Sequence, residues 1–142
     1  MIALLITHLI ATAFMAGLIW FVQVVHYPLF ASVGPERFRE YEDRHTTLTT
    51  RVVGPAMLIE AAAAVALLAI ALASEQSSAI LPAVGAGLLA VVWFSTAFVQ
   101  VPCHRALAES YDERVARRLV RTNWLRTAAW SGRTVIAALL AA

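Results

Sequence analysis

The chain has 142 residues, of which 61% are hydrophobic and only 14% charged, and its mean hydropathy is +0.74. A soluble domain of this size could not bury so much apolar surface, so lipid is the expected solvent for much of it. The net charge of +2 is too small and too local for a nucleic-acid footprint, so no nucleic-acid partner is expected.

The first apolar run covers 2–27. It lacks a basic leader and is too long for a signal-peptide core, so it is kept as a membrane span. It stops at Pro28, which has no amide to donate inside a helix. Further runs at 52–73, 79–101 and 125–142 each approach the roughly 20 residues that a bilayer core requires. Arg126 and Arg133 make the last the weakest. Backbone groups in hydrocarbon must be paired internally, so the expected fold is all-α, a polytopic membrane four-helix bundle forming one domain over 1–142.

The connections differ in charge. Ser74-Glu75-Gln76-Ser77-Ser78 reads as a tight polar turn without arginine, whereas 31–51 holds four arginines and 103–126 holds six. The positive-inside rule then puts both charged connections in the cytoplasm of a bacterial inner membrane, with both termini on the other side. Gly34-Pro35 suits a helix start. Ser110-Tyr111-Asp112-Glu113 has capping-box spacing. Helices 2 and 4 are therefore expected to begin in the cytoplasm and run into the membrane, the second bending at Gly54-Pro55.

One string recurs. Phe21-Val22-Gln23-Val24-Val25-His26 returns 77 positions later as Phe98-Val99-Gln100-Val101-Pro102-Cys103-His104, with one residue inserted. Two similar helical hairpins, approximately 1–77 and 78–142, are the reading this suggests. The lone cysteine, Cys103, excludes an intrachain disulfide and a Cys-x-x-Cys metal pair.

Polar residues at membrane depth carry most of the information. At helical spacing, His8, Thr12, Ile19, Gln23 and His26 form one stripe, and His45, Thr49, Val52, Ala56 and Glu60 a second. Trp93, Thr96, Gln100 and His104 form a third, and Asn123, Arg126, Trp130 and Arg133 a fourth. Turned inward, the stripes would make a shared polar core. His26, His45, His104, Asn123 and Arg126 would cluster near its cytoplasmic boundary. Glu60 and Arg133 fall at similar depth, and an unpaired charge there is costly, so a buried ion pair is expected. Tyr27 and Trp124 read as interfacial belt residues, and the arginines of 114–126 as partners of anionic headgroups.

Pro102-x-His104-x-x-Leu107, a charged helix and then Asn123-x-x-Arg126-Thr127 resemble the anthrone-oxygenase-like family of small four-helix bacterial membrane proteins, mainly over 98–142. The resemblance implies a four-helix bundle and cofactor-free oxidation of a polycyclic phenol. His104 stands where that family usually has asparagine.

Function from the residues themselves leaves three readings. In the first, the chain is an oxidoreductase acting on an apolar aromatic or quinone-like small molecule. His26, His45 and His104 supply a general base, Gln23, Gln100, Asn123 and Trp130 hold the substrate, and Arg126 stabilises a developing phenolate. In the second, the same three histidines ligate haem or a transition metal. In the third, the chain is a non-enzymatic accessory subunit or lipid-binding scaffold of a membrane complex. A homodimer is compatible with all three.

Overall fold

The computed structural model describes residues 1–74 and 78–142, so most of the polar turn expected at 74–78 lies outside the described residues. Every element among those described is helical. Helix α1 (Ile2–Phe21) passes through a π-helical turn (Val22–His26) into a 3-10 turn (Pro28–Ser32). Helix α2 (Pro35–Ala73) follows. Helix α3 (Ile80–Ser95) runs through a second π turn (Thr96–Gln100) into α4 (Val101–Glu109), and α5 (Glu113–Ala141) closes the chain. The five α-helices therefore make four rods.

Three of these rods, Ile2–Ser32, Pro35–Ala73 and Ile80–Glu109, are long and apolar enough to cross a membrane. The α5 rod is not among them, because arginines interrupt it. It packs against α1 and α3, and its inward face carries Asn123, Arg126, Trp130 and Arg133, all buried. The polar groups on the inward face of α5 are thus shielded by the apolar helices around it.

Both π turns end two residues before a proline, His26 before Pro28 and Gln100 before Pro102. A proline ring collides with the carbonyl four residues back and offers no amide. A π turn meets this by reaching one residue further, as Tyr27 N–H does to the Val22 carbonyl at 2.9 Å. Pro102 therefore does not break its rod. Helix α2 also continues through Gly54-Pro55. It starts at Gly34, whose φ of 78° suits a residue without a Cβ, with Pro35 in the first turn.

Two details of the sequence reading need correction. The N-cap of α5 is Asp112, whose carboxylate accepts from Arg114 N–H at 2.7 Å, and not Ser110. On α2, Val52 is 51% exposed. The inward stripe instead runs Phe38, Glu42, Thr46, Thr49, Val53, Met57 and Glu60, the last in phase with Leu67 and Ala71.

The core divides in two. Met15, Ile19, Met57, Val92 and Trp130 fill the apolar half. Tyr27, Phe30, Phe38, Cys103, Leu107 and Leu119 fill the charged end. A polar site lies between them.

Candidate functional site

Three segments converge at the charged end. The first π turn delivers His26 and Tyr27, the first turns of α2 deliver Glu42 and His45, and α4 delivers His104. Glu42 follows Phe38 by one helical turn, and both are fully buried. Its carboxylate meets His104 Nδ1 in a very short contact. His104 Nε2 lies 3.2 Å from the Tyr27 hydroxyl. We assign the hydrogen of His104 to Nδ1, so that it donates to Glu42 and accepts from Tyr27 at Nε2.

His26 and His45 form a second pair. His26 Nε2 and His45 Nδ1 are 2.9 Å apart, with the Tyr41 hydroxyl 3.4 Å from the former and the Thr49 hydroxyl 3.2 Å from the latter. With its hydrogen on Nδ1, His45 donates to His26, which also accepts from Tyr41. The Nε2 lone pair of His45 is then free. The Phe30 ring stands edge-on to both imidazoles, at centroid distances of 5.2 Å to His26 and 5.5 Å to His45. The His45 and His104 ring centroids are 5.4 Å apart, which joins the two pairs in one cluster.

The cluster opens into a cavity of about 680 Å³ between the helices. Met15, Leu18, Ile19, Val22, Met57 and Trp93 make its apolar walls, while Tyr27, His45, Thr96, Gln100, His104 and Arg126 supply polar groups. A mostly apolar cleft with a few convergent polar groups is the usual form of a small-molecule site. His45 also lines a second groove, of about 500 Å³, between His26, Tyr41 and the charged side chains Arg37, Glu40 and Arg44. His45 and Thr49 line both spaces and so connect the cavity with that groove.

The residues singled out in the sequence fall into separate groups. His45, His104, Gln100 and Arg126 line the cavity, whereas His26 reaches it only through His45. Gln23 and Asn123 do not line it. Asn123 Nδ2 donates to Gln23 Oε1 at 2.8 Å, and Gln23 Nε2 to the Val120 carbonyl at 3.2 Å, so both amides are engaged in holding α5 to the first rod. Gln100 accepts from Ser95 at 2.9 Å and donates to Thr122 at 3.3 Å. Arg126 donates from Nη1 to Asn123 at 3.1 Å and lies over the Trp130 ring at 5.0 Å, while its buried Nε has no partner.

Trp130 is core. Fully buried, it donates to Glu60 Oε2 at 3.0 Å. Arg133 Nε donates to Glu60 Oε1 at 2.8 Å, its Nη1 donates to the Gly85 carbonyl, and its Nη2 lies 3.4 Å from His8. Nor is Tyr27 a belt residue, being only 4% exposed beneath Phe30.

The sequence reading missed Glu42. Glu42, His45 and His104 offer ligand atoms that all lie within 4.8 Å of one another, so among the described residues these three could share an ion. The available signal was phase, because Glu42 is one turn after Phe38 on the inward stripe. Its neighbours Glu40, Asp43 and Arg44 are solvated. No family model, curated protein or solved structure matches this chain.

Proposed function

We propose that this is an integral membrane protein, oriented with its charged end toward the cytoplasm of a bacterial inner membrane, that oxidises a flat apolar aromatic or quinone-like molecule taken from the bilayer. The observation that carries this reading is the shared wall. The imidazoles of His45 and His104 line the same cavity as Met15, Met57 and Trp93. A hydrocarbon ring system suits the walls, and a hydroxyl at its polar end would meet the free Nε2 of His45.

In this scheme the substrate O–H bond breaks and a proton passes to His45 Nε2, while Arg126 faces the oxygen that becomes negative. His26 holds His45 in the required tautomer. The buried Glu42 carboxylate offsets the imidazolium charge. A hydroquinone loses two protons and two electrons overall, and dioxygen, which dissolves in bilayers, takes up both and leaves as hydrogen peroxide.

The test is catalytic. A membrane-soluble hydroquinone supplied with oxygen to the protein in lipid nanodiscs should release hydrogen peroxide faster than empty nanodiscs do, and His45→Ala should abolish that gain. No gain with the unaltered protein, or an undiminished gain in His45→Ala, would refute the reading.

A further inference from the structure

Glu42 is the least expected group in the molecule. It is a fully buried carboxylate; one oxygen is occupied by His104 Nδ1, and the other, Oε2, has no hydrogen-bond partner. Buried polar atoms are normally paired, so an orphaned carboxylate oxygen calls for a positive partner. Two imidazoles stand beside it, with ligand atoms of Glu42, His45 and His104 all within 4.8 Å of each other. Ligands about 2.0–2.2 Å from a common ion lie roughly 3–4 Å from one another, so only small side-chain adjustments are needed.

We propose that Glu42, His45 and His104 bind one divalent transition-metal ion, of the zinc or ferrous type, at the charged end of the cavity. The ion displaces the hydrogen that His104 donates to Glu42 and is held by that carboxylate, whose Oε2 is otherwise unpartnered. Two neutral imidazoles and one carboxylate form a donor set suited to zinc and to ferrous iron, and three protein ligands leave a coordination position open. Both histidines line the cavity, so an ion held between them would be reached from it.

The surroundings fit as well. A metal-bound histidine usually donates its other N–H to a fixed partner. His104, ligating through Nδ1, would donate from Nε2 to the Tyr27 hydroxyl, 3.2 Å away. His45, ligating through Nε2, would donate from Nδ1 to His26, 2.9 Å away. Each imidazole thus has one nitrogen for the ion and one held by a neighbour. His26 becomes a positioning residue and not a ligand. An ion held here would occupy the His45 lone pair, and a hydroxide formed from its bound water would then serve as base in place of that imidazole.

The experiment measures metal content and needs no substrate, so it succeeds or fails apart from the oxidation reading. Protein stripped with chelator and reconstituted in nanodiscs is titrated with zinc, and separately with cobalt(II) as a visible reporter. The expected result is about one equivalent bound, with cobalt absorption typical of nitrogen and oxygen ligation at low coordination number. Glu42→Gln, close in shape, should lose the site. His26→Ala and Tyr27→Phe should retain the stoichiometry but weaken affinity about 10–100-fold. His8→Gln, at the far end of the bundle, should bind like the unaltered chain. Well under one equivalent on monodisperse unaltered protein would overturn the proposal, as would unchanged binding in Glu42→Gln.

Discussion

Glu42 and His104, 62 positions apart, meet through a carboxylate oxygen and Nδ1 between the start of α2 and the end of the α3–α4 rod. The contact joins two rods from different halves of the chain, next to the cavity between the helices. Glu42→Gln keeps an amide oxygen for His104 Nδ1 to donate to but leaves the cluster with no negative charge. Proton transfer by a positioned side chain contributes about 10²–10⁴-fold. Glu42→Gln should therefore lower turnover of a hydroquinone-type substrate by about 10²-fold while leaving the helical content unchanged, read by peroxide release and circular dichroism.

Glu60 and Arg133 form a buried ion pair, at 2.8 Å with both side chains essentially inaccessible. Removing one partner of such a pair leaves a buried, uncompensated charge and costs about 3–5 kcal/mol. Glu60→Gln and Arg133→Met should each destabilise strongly in denaturant titrations of the detergent-solubilised protein. The double variant should lose much less than the sum of the two. Additive losses would mean that the two charges do not rely on one another.

The cap of α5 can be checked at the surface. Asp112→Ala removes the acceptor for Arg114 N–H and should cost about 1 kcal/mol. Ser110→Ala should be silent by the same measurement. The opposite ranking would return the cap to Ser110.

Much of the helical architecture was legible because long apolar runs, proline and charge contrast act locally along the chain. The polar stripes of α3 and α5 were legible for the same reason. Trp93, Thr96, Gln100 and His104 do line one cavity, and Asn123, Arg126, Trp130 and Arg133 are all buried. What periodicity could not supply was partner choice. Gln23 and Asn123 have the chemistry of substrate amides, yet they bond to one another across rods, a pairing that depends on how the helices pack. A stripe counted from His45 puts Val52 inward, whereas one counted from Phe38 and Glu42 puts Val53 there.

The recurring string shows a related effect. Phe-Val-Gln-Val repeats at an offset of 77, but the two π turns begin at Val22 and Thr96 and keep step with Pro28 and Pro102. Counted from its own proline, His26 corresponds to Gln100. The prolines set the local geometry, and the string slides relative to it. A span that ended at Pro28 would leave Tyr27 at the interface. The chain instead continues as a 3-10 turn, and Phe30 covers the ring.

The central claim is that imidazoles from α2 and α4 and an apolar cavity form one site for a small molecule from the bilayer. Photolabelling with a diazirine-bearing naphthol in nanodiscs, followed by peptide mass spectrometry, tests it most directly. The account predicts adducts concentrated on the α2 stretch around His45 to Met57 and on the rod from Trp93 to His104, displaced by excess naphthol. Adducts confined to outward side chains such as Phe14, Leu72 and Val135, and indifferent to competitor, would contradict it.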